Sequence, residues 1–358
     1  MEALKDIYFG ETFVIKLAGY LSHSDMFDKN KFIKKLTSEY FKEMELKEKL
    51  RFCAESIGDC FDLDYLEVLP IIIDTAQYFD DFDALVFAEF IDVYGREHFD
   101  TSLEALGQVT QYGSSEFAIR YFLNEQPDKV MDYLKNLSFN DEANIRRFAS
   151  EACRPKLPWG KKVAILYEDD YIDRIVDILD QLKEDDSLFV RKSVANNLND
   201  ISKINPDLVI DLAKKWYGTN EKTDWILKHG LRTLLKKGNK KALSIWGLDS
   251  SEGVEVTSFS IDEAQIGFSS NVNVSLKIET KKYLRVSIYI YYLKKNNTYT
   301  MKSFLISEKN YSEGQYDLKK KLSFKQMSTR THYPGQHKLE VVINGDVKHE
   351  LLFQLKSL

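Results

Sequence analysis

An internal repeat constrains the fold of this chain more than any other feature of its sequence. The copies cover residues 130–134 with 145–149, residues 175–179 with 190–195, and residues 209–212 with 226–232. The second halves of successive copies are offset by 45 residues, from Ile145 to Val190, and by 36 residues, from Val190 to Ile226. Offsets of this size are typical of helical hairpins that bury their apolar faces against neighbouring copies.

The apolar side chains before residue 249 recur at the spacing of a helix. Phe13, Leu17, Tyr20 and Leu21 illustrate the steps of three and four residues, and glycine and proline stand mainly at segment ends. The pattern and the repeat together predict an α-solenoid of HEAT-like helical repeats over residues 1–248.

Stacked repeats place equivalent positions in a row, so the cations that recur in each copy are predicted to project from the same face. Arg147, Arg191 and Lys228 stand near the start of the second helix of each copy. They are therefore predicted to line one concave face, where the helix N-termini add partial positive charge toward phosphates.

The character of the sequence changes near residue 250. Residues 249–254 form a polar hinge, and residues 255–358 alternate apolar and polar side chains with a period of two, which predicts seven or eight short strands. Asn344-Gly345 lies between two such segments and predicts a hairpin with a primed turn. The predicted fold class is therefore multidomain, α then β, with an immunoglobulin-like β-sandwich following the solenoid.

Composition excludes several classes of protein. No run of about 18 apolar residues is present, so no membrane span or membrane partner is predicted. The N-terminus lacks the pattern of a secretory signal. Three cysteines, Cys53, Cys60 and Cys153, favour a reducing cytoplasm over a disulfide scaffold or a zinc finger. Nothing in the sequence demands more than a monomer.

Charge is segregated along the chain, although the formal net charge is only −6. Residues 1–100 hold 11 basic and 22 acidic side chains, whereas residues 277–332 hold 13 basic and 4 acidic ones. Basic side chains also dominate residues 144–163 and 214–241. Any single basic run is commonly a solvated face, but three later runs favour a positive surface for a polyanion.

Residues 145–160 hold the densest set of chemically useful side chains. Arg146, Arg147 and Glu151 are predicted near the end of a helix, which is followed by a turn with two prolines and Trp159. Prolines fix the backbone, so Trp159 is predicted to project from a stiff turn. The alternative is structural, with the arginines on a solvated face and the tryptophan covering the core.

Three further carboxylate and imidazole groups are candidates for chemistry. Glu116 follows Ser114 and Ser115, either of which is predicted to cap a helix, and Asp200 ends a polar stretch late in another helix. His229 is predicted to contact phosphate or cap a helix rather than act as a base. No phosphate loop, nucleophile triad or Cys/His metal cluster is present, so neither a metal nor another cofactor is predicted.

The chain resembles the AlkC branch of the alkylpurine DNA glycosylases built from HEAT-like repeats. The resemblance rests on the pattern Arg146-Arg147-x-x-Ser150-Glu151-x-x-Arg154-Pro155-x-Leu157-Pro158-Trp159, on residues 190–200, on residues 225–238 and on residues 5–10. It covers residues 1–248, and some members of this branch carry a C-terminal immunoglobulin-like domain that suits residues 255–358.

The resemblance implies excision of small cationic bases, N3-methyladenine and N3-methylcytosine, from duplex DNA in the bacterial cytoplasm, without a pocket for the base. It implies that Glu116 and Glu151 are catalytic carboxylates, that Trp159 lies against the deoxyribose, and that Asp200 contributes. The residues predicted to contact DNA are Arg147, Arg154, Lys156, Arg191, Lys192, Lys228, His229 and Arg232.

Two other functions suit the same sequence. Helical repeats often act as non-catalytic scaffolds for proteins, and a repair fold that has lost catalysis still binds DNA structure. A scaffold predicts that Glu116, Glu151 and Trp159 can change with little effect on activity toward DNA, whereas the presence of all three argues against a repair fold that has lost catalysis.

Overall fold

The computed structural model describes residues 4–327 and 330–357, so residues 1–3 of the predicted solenoid and residues 328, 329 and 358 of the predicted sandwich lie outside the described residues. The helices that precede the sheets are α1 (Leu4–Ile7), α2 (Glu11–Leu21), α3 (Lys29–Leu36), α4 (Glu39–Glu43), α5 (Leu46–Asp59), α6 (Tyr65–Ala76), α7 (Leu85–Tyr94), α8 (Phe99–Val109), α9 (Ile119–Glu125), α10 (Pro127–Leu137), α11 (Ala143–Ala152), α12 (Asp169–Leu182), α13 (Leu188–Ile201), α14 (Pro206–Trp216), α15 (Glu221–Gly230), α16 (Arg232–Lys236) and α17 (Lys240–Ser244). A short 3₁₀ helix, Ala164–Tyr167, precedes α12. The predicted order of helices followed by strands is confirmed.

The chain forms two compact units. The first unit runs to Ile204 and also includes Gly218–Gly230, whereas the second comprises Asn205–Tyr217 and the chain from Leu231 onward. All six residues of the charge network described below, and Trp159, belong to the first unit.

The internal repeat falls on successive helix pairs. Its first copy lies on α10 and α11, its second on α12 and α13, and its third on α14 and α15. Within the first unit α13 packs against both α11 and α15. The second helices of the copies therefore lie side by side, as the repeat predicts.

Helix α12 shows why these segments are helical. Ile172, Ile175, Leu179 and Leu182 are buried and recur every three or four residues, while its other side is charged. Each such side chain contributes about 1.5–3 kcal/mol when it leaves water. The buried stripe, rather than intrinsic propensity, therefore fixes the orientation of the helix.

The second unit contains two antiparallel sheets. Their strands are β1 (Val254–Ile261), β2 (Ser269–Ile278), β3 (Lys282–Leu293), β4 (Tyr299–Tyr311), β5 (Gly314–Ser323), β6 (Gly335–Ile343) and β7 (Asp346–Leu355). One sheet has the order β1-β2-β5 and the other the order β4-β3-β6-β7. Alternate side chains of both β2 and β3 are buried in one apolar core, so the two sheets form the predicted sandwich.

The predicted hairpin turn lies between β6 and β7. Asn344 and Gly345 have φ angles of 48° and 81°, the pair of positive values that a type I′ turn requires. A Cβ atom on Gly345 would lie 2.7 Å from the carbonyl oxygen of Gly238, within the same unit. Glycine is therefore required here both for the backbone angle and for the close approach.

The described residues also bear on membrane, metal and thiol chemistry. No helix among them combines the length and apolarity needed to cross a bilayer. No group of three or more His, Cys, Asp or Glu side chains within residues 4–327 and 330–357 is arranged to hold a metal ion. Cys53, Cys60 and Cys153 are all buried free thiols.

Candidate active site

Helix α11 supplies the first two functional side chains. Phe148, Ala149 and Ala152 are buried in the core, and Arg147 and Glu151 stand four residues apart on the same face. The helix ends at Ala152, before Pro155, as the proline predicts, so Glu151 lies in its last turn.

Arg147 binds Glu116 in a two-point ion pair. Its Nη1 donates to Oε2 of Glu116 at 2.9 Å, and its Nη2 donates to Oε1 at 3.0 Å. The guanidinium also lies 4.9 Å from the ring centre of Phe189. Two parallel hydrogen bonds and an aromatic face fix the orientation of both charged groups.

The serines before Glu116 do not cap a helix, so that prediction was wrong. Ser115 Oγ donates to the carbonyl of Leu106 at 2.9 Å, and Ser114 Oγ accepts from Arg147 at 2.9 Å. Helix α9 begins without a side-chain cap. The two hydroxyls instead hold the turn that presents Glu116.

Glu151 is buried among three donors. Arg154 Nη1 donates to Oε1 at 2.6 Å, Ser193 Oγ donates to Oε2 at 2.7 Å, and Arg147 Nη2 lies 3.8 Å from Oε1. A carboxylate in the last helical turn is disfavoured by the helix dipole. These partners supply the structural reason for the acid at this position.

Arg154 connects Glu151 to Asp200. Its Nε donates to Oδ2 of Asp200 at 2.9 Å, and Lys203 Nζ donates to Oδ1 at 3.1 Å. Burial disfavours the charge of Arg154, but Glu151 and Asp200 outweigh burial, so the pKa of Arg154 lies above its usual value.

These side chains form one charge network of alternating sign. Its members in order are Glu116, Arg147, Glu151, Arg154, Asp200 and Lys203. Three carboxylates are matched by three cations, and only Lys203 is substantially exposed. The carboxylates are therefore oriented and shielded from water before any ligand arrives.

The loop of residues 153–162, called here the Trp159 loop, is held by a buried arginine. Arg120 is 1% exposed and donates to the carbonyls of Ala152 at 3.0 Å, Arg154 at 2.9 Å and Lys161 at 2.9 Å. It therefore binds both ends of the loop. Burial lowers the pKa of Arg120 from 12.5 to about 10.

Trp159 projects from this loop and is 62% exposed. Its φ angle is 65°, an uncommon value for a residue with a Cβ atom. Lys47 Nζ donates to the Trp159 carbonyl at 2.7 Å and lies 5.9 Å from the ring centre. The aromatic ring is thus exposed to solvent while its backbone is held.

Glu116, Arg147 and Trp159 line one cleft of about 780 Å³, called here the Glu116 cleft. Phe189 and Phe117 form part of its wall. Glu151 and Asp200 do not line it, and they connect to it through Arg147 and Arg154. A carboxylate and an exposed aromatic ring that face one open cleft can stabilise positive charge that develops between them.

The predicted DNA-binding residues divide into three groups. Arg147 and Arg154 belong to the charge network, whereas Lys156 and Lys192 are exposed. The remaining ones are half-buried: Arg191, Lys228, His229 and Arg232.

The predicted row of Arg147, Arg191 and Lys228 needs a correction, because Arg147 and Arg191 occupy different positions of the repeat. Arg146 Nη1 donates to the carbonyls of Asn140 and Asp141, and Arg191 Nη1 donates to the carbonyls of Asp185 and Asp186. Arg191 is therefore the equivalent of Arg146, and Lys192 is the equivalent of Arg147. In the free protein Arg191 fixes the turn before α13, and it lies 5.9 Å from the ring centre of Trp225.

Comparisons with known proteins identify the family. The family model described as the C-terminal Ig-like domain of uncharacterised protein YhaZ matches residues 255–357. YhaZ of Bacillus subtilis (strain 168) is 38% identical over 99% of this chain and 100% of that protein. The structure of Pseudomonas fluorescens alkylpurine DNA glycosylase AlkC, bound to DNA with an abasic-site analogue, is 32% identical. It covers 99% of this chain and 100% of that one, with a TM-score of 0.92.

The chain belongs to the AlkC family. The match spans both the helical repeats and the immunoglobulin-like sandwich, which confirms the predicted fold class. Similarity to AlkC supports the DNA-glycosylase class for this chain, with DNA as its partner.

Sequence reasoning missed two residues of this AlkC-family site. Arg120 stands alone between Ile119 and Phe122 in an apolar helix, and a lone arginine in such a place signals a buried partner. Ser193 gives no comparable signal, because serine is common at exposed helix positions. Only the packing of α13 against α11 brings Ser193 to Glu151.

Proposed function

We propose that this chain is a DNA glycosylase of base excision repair that hydrolyses the N-glycosidic bond of N3-methyladenine and N3-methylcytosine in duplex DNA. The observation that carries the proposal is the pairing of Glu116 with Trp159 in one cleft, with the carboxylate fixed by Arg147. The family match supports DNA as the substrate.

The proposed chemistry needs no general acid. A base methylated at N3 carries a positive charge, so it takes both electrons of the breaking C1′–N bond and leaves as a neutral molecule. The barrier lies in the deoxyribose, which becomes oxocarbenium-like. Water then forms a bond to C1′ and loses one proton to a carboxylate, which leaves an abasic site.

The proposed roles follow from position. Trp159, exposed on a held backbone, lies against the sugar and stabilises its positive charge through its aromatic face. Glu116 faces the same cleft and stabilises that charge directly. Glu116 also orients the attacking water and accepts its proton, Glu151 positions Arg147 through their ion pair, and Asp200 positions Arg154.

An open cleft suits labile cationic lesions. Because Trp159 is exposed and the Glu116 cleft is broad, the proposed cleavage occurs while the base remains in the duplex. A neutral base would need help in leaving, and no acid is proposed for that role. We therefore expect no excision of neutral lesions.

The test is release of free N3-methyladenine from methylated duplex DNA under single-turnover conditions. Glu116→Gln, Glu151→Gln and Trp159→Ala are compared with Glu142→Gln and Tyr40→Ala, which alter exposed residues outside the site. The proposal expects release by the intact protein and by both control variants, and a fall of about 100-fold or more in the three site variants.

Two outcomes contradict the proposal. DNA binding by the intact protein without base release indicates a damage-binding relative, and neither binding nor release indicates a scaffold. Circular dichroism melting of each variant separates loss of catalysis from loss of folding, because breaking a buried ion pair costs about 3–5 kcal/mol.

A further inference from the structure

A second cleft adjoins the Glu116 cleft. It has a volume of about 270 Å³ and is called here the Leu50 cleft. Phe82, Leu85, Phe117 and Trp159 line both clefts, and Leu46 and Leu50 line the second alone. The ring of Trp159 is therefore a shared wall between an open cleft that holds a carboxylate and a smaller apolar one.

Hydrogen-bonding groups meet among the apolar walls of the Leu50 cleft. Arg51 Nε lies 2.7 Å from Oε1 of Glu89, and Arg51 Nη2 donates to Oδ2 of Asp92 at 2.9 Å. Burial raises the pKa of Glu89, although Arg51 opposes this effect. An apolar cleft with a few converging polar groups and a perturbed carboxyl has the character of a small-molecule site.

The size of the cleft limits the ligand. Pockets for drug-sized ligands measure about 300–1,000 Å³, and this cleft is slightly smaller. A single planar heterocycle suits this volume better than a nucleoside with its sugar. Aromatic and leucine walls suit its faces, and the donor and acceptor groups of Arg51 and Glu89 suit its edge.

We propose that the Leu50 cleft binds the free nucleobase after its release from the sugar. This inference rests on the proposed function, because the base becomes free only when the glycosidic bond breaks in the adjoining cleft. A released methylated base is neutral and planar, so it needs apolar walls and edge hydrogen bonds rather than an opposite charge. The shared Trp159 wall places such a site next to the reaction.

The experiment is calorimetric titration of the full chain with N3-methyladenine. Leu50→Trp fills the cleft, Leu46→Trp fills it from a second position, and Leu66→Trp adds the same ring at an exposed position outside both clefts. We expect binding to the intact protein and to Leu66→Trp. Each folded cleft-filling variant is expected to bind at least about tenfold more weakly, and adenosine is expected to bind the intact protein about tenfold more weakly than the base.

Base release from DNA is measured on the same proteins. Leu50→Trp is expected to retain single-turnover release while added N3-methyladenine inhibits it less than it inhibits the intact protein. Absence of N3-methyladenine binding to the intact protein, or equal binding to folded Leu50→Trp and Leu66→Trp, overturns the inference. If the intact protein releases no base, the proposed function fails, and the titration still decides whether the cleft binds a nucleobase.

Discussion

Arg147 holds Glu116 by two hydrogen bonds, from Nη1 to Oε2 at 2.9 Å and from Nη2 to Oε1 at 3.0 Å. The two residues are far apart in the sequence, because Glu116 lies in the turn before α9 and Arg147 lies on α11. A carboxylate bound in this way has one orientation toward the Glu116 cleft. Its direction is therefore set by the fold rather than by the substrate.

Replacement of Arg147 by lysine tests this orientation. Lysine keeps the charge but cannot form the two parallel bonds, so we expect single-turnover base release to fall by about tenfold or more. The control is Arg146→Lys, because Arg146 binds Asp185 and backbone carbonyls outside the charge network. Equal rates in the two variants would contradict a positioning role for Arg147.

Replacement of Arg120 by lysine tests the support of the Trp159 loop. A lysine cannot donate to all three carbonyls, so we expect the free energy of unfolding to fall by about 2–4 kcal/mol. We also expect faster trypsin cleavage within the loop. Arg174→Lys, which alters a pair with the exposed Asp128 and Asp132, is the control. Unchanged cleavage of the loop would exclude the role proposed for Arg120.

The corrected register predicts different effects for two adjacent cations. Lys192 is exposed, so Lys192→Ala is expected to weaken DNA binding and to reduce the dependence of log Kd on log salt concentration by about 0.9. Arg191 binds the carbonyls of Asp185 and Asp186, so Arg191→Ala is expected mainly to lower thermal stability. Fluorescence anisotropy with labelled duplex at several salt concentrations measures the first effect. A larger change of slope for Arg191→Ala would reverse the assignment.

His332 predicts a pH dependence for the sandwich. Burial lowers the pKa of this side chain from 6.5 to about 4, and its Nε2 atom has no hydrogen-bond partner. Below the unfolded value of 6.5, the unfolded chain takes up a proton that the folded chain does not. The free energy of unfolding should therefore fall as the pH decreases from about 6.5 to about 4.

Urea denaturation of the full chain across this pH range measures the effect. His332→Phe should flatten the dependence, because phenylalanine keeps the contacts with Tyr292 and Phe324 but cannot bind a proton. The exposed His349 supplies the control variant His349→Phe. A pH dependence that persists in His332→Phe would assign it to other groups.

The fold was largely predictable from the sequence because its signals are local. The repeat predicted the helix pairs from α10 to α15, and Asn344-Gly345 predicted the hairpin between β6 and β7. The prolines predicted the end of α11 and the loop that carries Trp159. Asn344-Gly345 and the prolines act within a few residues of the structure that they specify, and each copy of the repeat specifies its own helix pair.

The partners within the site were less predictable because they depend on packing. Glu116 and Arg147 meet only when the segment before α9 packs near α11, and Ser193 reaches Glu151 only across two helices. The predicted row set Arg191 beside Arg147, although the offset of 45 residues between the copies pairs Arg191 with Arg146. Hydrogen bonds to turn carbonyls, which a sequence does not display, distinguish Arg146 from Arg147.

The alternating signs of the charge network have a consequence for how damage is recognised. With three carboxylates matched by three cations, the network has no net charge with which to attract a cationic base. Under the proposed function, undamaged and methylated duplexes would then bind with similar affinity, and the lesion would be distinguished only by the rate at which its bond breaks. Selectivity of this kind is kinetic, because undamaged DNA binds the enzyme but dissociates before any of its glycosidic bonds breaks.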